Sequence, residues 1–127
     1  MKAVIVLNHN PVEELIKDLK ENYGVKEIII LTQEDNNIKQ QFANTPFSKK
    51  EMLQVAGDIY YVIMQYIPDI VVISGEVRVC RFVVNTLSCD KIRCYAPYSQ
   101  RISEDVKQSD GSVKKVSTFK YVGLVEY

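Results

Sequence analysis

Four strand-like runs alternate with helical patterns along this chain, and they constrain its fold more than any other feature. The runs are Ala3–Leu7, Ile28–Leu31, Asp69–Ile73 and Ile92–Tyr95. Short, nearly continuous apolar runs rich in β-branched residues are typical of strands buried on both faces of a parallel sheet. Right-handed crossovers then place the intervening helices on both faces. The sequence therefore predicts an α/β protein with a Rossmann-like parallel sheet.

Three helices are predicted between these strands. The first has Asn10 as its N-cap and Pro11 in its first position, and it ends at Gly24. The second begins with a capping box at Ser48 and runs to Tyr66, and the third spans Glu76–Leu87. The predicted order is βαβαβαβ.

A β-hairpin is predicted to follow this core. Its strands, Arg101–Val106 and Val113–Val122, flank Ser109–Ser112, whose Asp-Gly pair is a hairpin-turn signal. The polar segment Gln33–Pro46 is predicted to form a short helix and a loop. No linker or repeat interrupts the chain, so residues 1–127 are expected to form one domain.

The Ser48–Tyr66 helix carries more apolar residues than one buried stripe requires. This surplus indicates burial against a second subunit, and hence a homodimer, or alternatively a helix enclosed within one monomer. The apolar residues are Met52, Leu53, Val55, Ile59, Tyr60, Tyr61, Val62, Ile63, Met64 and Tyr66.

Composition excludes several classes of protein. The formal net charge is zero, whereas proteins that bind long nucleic acids carry a basic excess or stripe. No apolar run reaches about 18 residues and Met1 leads directly into a strand pattern, so neither a membrane span nor a signal peptide is expected. Three cysteines, Cys80, Cys89 and Cys94, with one histidine favour free thiols in the cytoplasm over a disulfide framework or a metal site.

Polar clusters follow three of the predicted strands. Ligands of open α/β sheets bind outside the carboxyl ends of the strands. These clusters are therefore the predicted site. Its residues are Asn8, His9 and Asn10 after the first strand, Ser74, Gly75, Glu76 and Arg78 after the third, and Tyr98 and Arg101 after the fourth.

His9, Glu76 and Arg78 each have a functional and a structural interpretation. His9 can exchange a proton near neutral pH, or it can be a loop histidine bonded to a carbonyl. Gly75 permits close approach of the backbone to a ligand. Glu76 can act on a ligand or complement the helix dipole. Arg78 can bind an anion or belong to a solvated stripe.

The remaining candidates are amides, an aromatic and an arginine. Asn8 can hydrogen-bond a base or a phosphate, whereas Asn10 is also explained as a helix cap. Arg101 can grip a phosphate in a bidentate manner, and Tyr98 can stack on a base or pack within a loop.

Taken together, the residue types in the three polar clusters favour metal-free cleavage of an RNA phosphodiester. No Gly-x-Ser-x-Gly motif and no paired carboxylates are present. One histidine, one glutamate, several amides and several arginines suffice where the ribose 2′-hydroxyl is the nucleophile.

The sequence also resembles a known family. The strand entering Asn8-His9-Asn10, the Ser74-Gly75-Glu76 turn, the Cys94-Tyr95-Ala96 strand that leads to Arg101, and the tail from Asp110 to Val122 are similar to small stand-alone CRISPR-associated proteins of type III systems. These are compact relatives of the CARF domains, the CRISPR-associated Rossmann fold.

The resemblance implies a CARF-like ring nuclease. Such a protein would bind cyclic tetra-adenylate as a symmetric dimer without a cofactor or metal, and would cut it to linear products with 2′,3′-cyclic phosphate ends. His9 and Glu76 would be catalytic. A module that sequesters or senses the cyclic nucleotide without cleaving it is the alternative. A protein whose polar clusters act only as caps would bind no adenylate. The ligand would be held by Asn8, Asn10, Ser74, Gly75, Arg78, Tyr98 and Arg101.

Overall fold

A computed structural model describes residues 1–127 and contains one five-stranded sheet. The strands lie in the order β2-β1-β3-β4-β5, and all pair in parallel except β5, which is antiparallel to β4. The strands are β1 (Lys2–Leu7), β2 (Glu27–Ile30), β3 (Ile70–Ser74), β4 (Arg93–Lys107) and β5 (Val113–Glu126). The predicted α/β class, the parallel core and the C-terminal hairpin are confirmed.

Five helices cover the two faces of the sheet. One face packs on α1 through Ala3, Ile5 and Leu7, and the other packs on α3, α4 and α5 through Val4 and Val6. This alternation along β1 follows from the period of two in a strand. The helices are α1 (Glu13–Asn22), α2 (Leu31–Glu34), α3 (Asn36–Ala43), α4 (Lys49–Gln65) and α5 (Val77–Cys89).

Two predicted helix boundaries hold and one predicted helix cap is wrong. Ser48 accepts a hydrogen bond from the backbone N–H of Glu51 and caps α4, and Gly24 follows α1 in the left-handed conformation. The predicted cap of α1 is wrong, because Asn10 and Pro11 lie outside the helix and Val12 takes the N-cap position without a side-chain bond. The Asn10 side chain is instead engaged by another segment, as described below.

The segment after β2 is more ordered than a short helix and a loop. Leu31, predicted to end the strand, begins α2. Asp35 caps α3 by accepting a hydrogen bond from Ile38 N–H, and Ile38 and Phe42 are buried one turn apart. This spacing fixes α3 against the sheet. The segment therefore forms a wall beside the carboxyl rim, which is the edge of the molecule where β1 and β3 end.

The apolar surplus of α4 is largely accounted for within one chain. Met52, Val55, Ile59 and Ile63 are buried, and four more of its apolar residues pack partly against the same core cluster. Only Leu53 and Tyr61 of the predicted set are exposed. The surplus therefore reflects a helix enclosed by the sheet, α3 and α5, and it gives little support to a subunit interface on α4.

The fourth strand and the first hairpin strand are one continuous element. β4 runs unbroken from Arg93 to Lys107 and pairs with β5 up to Lys107 opposite Val113. The turn itself is where the Asp-Gly pair predicted it, with Gly111 at a φ of 88°. Residues 96–100, which lie between the two predicted strands Ile92–Tyr95 and Arg101–Val106, are therefore part of one strand.

Candidate functional site

The first polar cluster opens onto a polar cavity at the carboxyl end of β1. The cavity has a volume of about 450 Å³. Its lining includes one cation, Lys39, and no carboxylate, and Lys39 has no acidic partner within ion-pair distance. An unpaired cation among neutral donors favours an anionic ligand. The cavity is lined by Leu7, Asn8, His9, Asn10, Thr32, Gln33, Asn36, Lys39 and Ala43.

His9 is held in one tautomer by its neighbour. Its Nδ1 atom lies 2.9 Å from the carbonyl oxygen of Asn10. A carbonyl oxygen only accepts hydrogen bonds, so Nδ1 carries the proton in the neutral imidazole. The lone pair is therefore on Nε2, on an exposed side chain that lines the cavity.

Asn10 joins two walls of this cavity. Its Oδ1 atom accepts a hydrogen bond of 3.1 Å from Nε2 of Gln33. The bond connects the loop after β1 to helix α2, and Asn8 lines the same cavity. Asn10 thus positions the segment that carries His9.

Four lining residues were missed by sequence reasoning. The segment that carries them gave only a polar, Asn- and Gln-rich composition, whereas a ligand-binding wall requires a fixed backbone. The signal that could have found it is the Ile38–Phe42 pair at helical spacing, behind the Asp35 cap. The missed residues are Thr32, Gln33, Asn36 and Lys39.

The second cluster adjoins the first along the backbone but faces another cavity. Leu7 is in register with Ser74, so Asn8 and Gly75 follow at adjacent strand ends. Ser74 and Gly75 line a separate cavity of about 530 Å³ beside α5. The structure therefore does not bring Ser74 and Gly75 into the cavity of His9.

Phe42 explains this separation. A Cβ atom on Gly75 would lie 2.5 Å from Cζ of Phe42, and the ring is 1% exposed. The group that approaches the Gly75 backbone is thus an aromatic ring of α3. The predicted approach of a ligand to Gly75 has no room at this face.

Glu76 caps helix α5. One carboxylate oxygen accepts a hydrogen bond of 3.0 Å from the N–H of Val79, and the other lies 2.6 Å from Nε of Arg78. The hydrogen bond from Arg78, assisted by that from Val79, lowers the pKa of Glu76 despite partial burial. Glu76 is therefore ionised at neutral pH, and both of its carboxylate oxygens accept hydrogen bonds.

The guanidinium of Arg78 is held by groups of the protein through three of its five N–H donors. Beyond Glu76, its Nη atoms donate to the carbonyl oxygens of Pro46 and Phe47, at 2.8 and 2.9 Å. Arg78 thereby ties the loop before α4 to the start of α5. It also borders a basic groove of about 490 Å³ between α4 and α5, together with Lys49 and Arg81.

Tyr98 and Arg101 lie on β4, beyond the level at which β3 ends. Tyr98 is 54% exposed, and Nη2 of Arg101 donates a hydrogen bond of 3.0 Å to Oγ of Ser117 on β5. Neither residue lines the cavity of His9. The predicted site is therefore divided among a cavity, a capped helix start and an exposed strand.

Other features of possible chemical use are few. Cys80 and Cys94 are buried free thiols, and burial raises the pKa of Cys94 to about 11. No cluster of three or more histidine, cysteine, aspartate or glutamate residues has the arrangement of a metal site. No helix has the length and apolar character needed to cross a membrane.

Comparison with protein families shows the family to which the chain belongs. A family model described as "Uncharacterized protein MJ1673 family" matches residues 1–125. The chain belongs to the MJ1673 family. No curated protein and no solved structure gives a significant match. Any function proposed for this MJ1673-family chain must therefore be argued from the site itself.

Proposed function

We propose that this protein is a metal-independent ring nuclease that binds cyclic tetra-adenylate and opens it, thereby ending a type III CRISPR signal. One observation carries the proposal: the only histidine of the chain lines a polar cavity together with the cation of Lys39, and its hydrogen bond to the carbonyl of Asn10 uses Nδ1, so that Nε2 is the nitrogen available to a ligand. A base beside an anion-binding group is the minimum that intramolecular RNA cleavage requires.

The reaction is an intramolecular transesterification at one phosphate of the ligand. The ribose 2′-oxygen forms a bond to its own 3′-phosphorus, the bond from phosphorus to the 5′-oxygen breaks, and no water is consumed. His9 Nε2 takes the proton of the 2′-hydroxyl, and the resulting imidazolium can return a proton to the leaving 5′-oxygen. The products end in a 2′,3′-cyclic phosphate and a 5′-hydroxyl.

The other lining residues fit binding and orientation. Lys39 would pair with the phosphate on which negative charge develops, and Asn8 and Asn36 would supply amide donors to phosphate or base. Gln33 is already directed by its hydrogen bond to Asn10. A role for Glu76 in proton transfer would require the carboxylate to leave Arg78 and Val79, so we assign it to positioning α5.

The size of the cavity favours a ligand shared between two copies. A volume of about 450 Å³ lies near the lower end of small-molecule sites, which span about 300–1,000 Å³. Such a cavity holds part of a cyclic tetra-adenylate. A symmetric dimer, with one cavity per protomer, would accommodate the two-fold ring.

The test is cleavage of cyclic tetra-adenylate in EDTA, with binding measured in parallel. We expect linear products with cyclic phosphate ends. His9→Gln can keep a hydrogen-bond acceptor, the amide oxygen, near the position of Nε2 but cannot take up a proton, so it should lower the cleavage rate by about 100-fold or more with little loss of affinity. Lys39→Ala should weaken binding, and the effect should diminish at high salt.

Matched controls separate these effects from a change of fold. Lys50→Ala removes an exposed cation of α4 outside the cavity, and it should change neither rate nor affinity. Equal cleavage by wild type and His9→Gln would remove His9 from the mechanism. Absence of both binding and cleavage in the wild-type protein would refute the proposal.

A sequestering module is the second candidate, and one observation favours it. No carboxyl group or second histidine lines the cavity, so apart from His9 itself only the ammonium group of Lys39 could protonate the leaving oxygen. Tight binding without turnover in the same assay would identify this function.

We propose that the protein is cytoplasmic. The ligand is an intracellular signal under this proposal, and all three cysteines are free thiols. The formal net charge of zero also fits a compact anionic ligand better than a long nucleic acid.

A further inference from the structure

The groove between α4 and α5 combines cations with an apolar floor, and the proposed cleavage reaction does not use it. Its volume of about 490 Å³ lies within the range of about 300–1,000 Å³ that small-molecule sites span. Three lining residues carry a positive charge, and none carries a carboxylate. The cations are Lys49, Arg78 and Arg81, and the apolar residues are Met52, Leu53 and Phe82.

The positive charge of this groove is only partly balanced by the protein. Lys49 and Arg81 are exposed, and neither has an acidic partner within ion-pair distance. Arg78 is paired with Glu76, but two of its five N–H donors make no hydrogen bond within the protein. Lys49 and Arg78 also lie in the first turns of their helices, where a cation opposes the helix dipole. An anion bound in the groove would offset this unfavourable charge.

The floor of the groove requires more of a ligand than charge. Met52 is 5% exposed and belongs to the core cluster against which Phe82 packs. Leu53 is 37% exposed at the edge of this floor. An inorganic ion would leave the apolar surface in contact with water, whereas a ligand with an apolar body would cover it.

The charged and the apolar parts lie at different levels of the groove. Arg78 donates a hydrogen bond of 2.9 Å to the carbonyl oxygen of Phe47, two residues before Lys49, so α4 and α5 begin at the same level. Both helices connect parallel strands on one face of the sheet, and they therefore run parallel to each other. At about 1.5 Å per residue, Leu53 lies about 6 Å farther along α4 than Lys49. Phe82 lies equally far along α5 from Arg78, so the apolar floor begins about one turn behind the first cations.

We propose that this groove binds a phosphate monoester that carries an apolar chain or ring. The phosphate lies among the three cations, where the two guanidinium groups of Arg78 and Arg81 can each donate two hydrogen bonds to its oxygens. The apolar body lies over Leu53 and Phe82. This site is distinct from the cavity of His9, and the inference goes beyond the cleavage of a cyclic nucleotide.

The dimensions of the groove favour a small molecule over larger partners. From Arg78 to Asn85, which are the first and last lining residues of α5, the groove is about 10 Å long. This length accommodates only about three residues of an extended peptide. A membrane surface would reach the exposed edges of the groove but not Met52 in its floor.

A comparison of three probes tests the proposal. Hexyl phosphate should bind at least about tenfold more tightly than inorganic phosphate, because each buried methylene group raises the affinity about fourfold. Hexanol should bind more weakly than hexyl phosphate, because it lacks the charge. NMR titrations that follow the backbone amide signals of α4 and α5 measure each affinity and locate each probe.

Matched variants separate the effect of charge from that of apolar contact. Arg81→Ala should weaken the binding of hexyl phosphate at least about fivefold at low salt. Lys50→Ala removes an exposed cation of α4 outside the groove and should leave the affinity unchanged. Leu53→Asn keeps the size of the side chain but not its apolar character. It should lower the affinity for hexyl phosphate and leave that for inorganic phosphate unchanged.

Several outcomes would overturn the proposal. These are a Kd for hexyl phosphate above about 10 mM, equal affinities for hexyl phosphate and inorganic phosphate, and an unchanged affinity in Arg81→Ala. Binding of phosphatidylglycerol vesicles or of a poly-glutamate peptide without binding of hexyl phosphate would instead assign the surface to a membrane or to an acidic protein. Lys39→Ala changes only the cavity of His9 and should not affect the binding of hexyl phosphate in the groove. The outcome is therefore independent of the cleavage assay.

Discussion

At the scale of single residues, the contact between Phe42 and Gly75 determines how the carboxyl rim is divided. The backbone brings Asn8 and Gly75 to neighbouring strand ends, yet the Phe42 ring lies where a side chain at Gly75 would be. Gly75 is therefore required by packing, independently of any ligand.

Gly75→Ala should lower the free energy of unfolding by about 2 kcal/mol, because its methyl group overpacks a tight core contact. Gly57→Ala is the matched control: Gly57 lies inside α4, and no atom lies within 4 Å of the position that the new methyl group would take. It should raise the free energy of unfolding by about 0.5–1 kcal/mol through helix propensity. Urea denaturation measures both. Equal effects of the two substitutions would contradict the packing role of Phe42.

Glu76 makes stability depend on pH in a defined direction. Its pKa is lowered in the folded protein, so its contribution is present above its ordinary value of 4.5 and is lost as the pH falls through the lowered folded pKa. Glu76→Gln should cost about 1 kcal/mol at pH 7, as expected for a helix cap.

The cost of Glu76→Gln should shrink as the pH is lowered below 4.5, since protons then compete for the carboxylate of the wild-type protein. Urea denaturation at pH 7 and pH 2.5 measures the difference. Glu34→Gln removes one exposed charge without a partner and should show no such dependence on pH. A pH-independent cost would show that the charge of Glu76 is not what stabilises the start of α5.

At the scale of secondary-structure elements, burial decides what the sequence could predict. The cores of β1, β2 and β3 carry apolar residues on both faces, and α4 and α5 have capping side chains, so their positions were predicted within a few residues. The part of the β4–β5 hairpin beyond Pro97, residues 98–121, is called the arm here. The arm faces solvent on both sides, so alternation of polar and apolar residues gave no signal that β4 continues through Pro97. The wall formed by α2 and α3 depends on Phe42 packing against Gly75, a contact between residues distant in sequence.

Arg78 links the loop before α4 to the start of α5. Its substitution should affect the order of these two elements more than it affects the binding of a ligand. Arg78→Ala removes hydrogen bonds to Glu76 and to the carbonyls of Pro46 and Phe47 and should cost about 1–2 kcal/mol of stability. Hydrogen exchange should increase in the loop before α4. Arg81→Ala, an exposed neighbour on the same helix, should change stability by less than about 0.5 kcal/mol. Selective loss of cyclic tetra-adenylate binding in Arg78→Ala, with stability unchanged, would favour the ligand role predicted from the sequence.

At the scale of the whole molecule, the fold consists of a compact body and an exposed arm. The two core clusters include no residue between Tyr98 and Lys120. The body buries its apolar residues without the arm, whereas the arm leaves its own exposed. We therefore expect the body to supply stability and the arm to supply association.

Replacing Ser103–Ser117 with Asn-Gly tests this division, because Ile102 and Thr118 are directly opposed and a two-residue turn joins such a pair. The shortened chain should unfold cooperatively, with a free energy of unfolding within about 1 kcal/mol of the wild-type monomer, since every excised residue except Gln108 is exposed. The wild-type Tm should rise with protein concentration, because dimerisation stabilises the folded state by mass action, and the Tm of the shortened chain should not. A Tm that still rises with concentration after the excision would mean that the subunits associate through the body, and the exposed apolar residues of α4 would then be the surface to substitute.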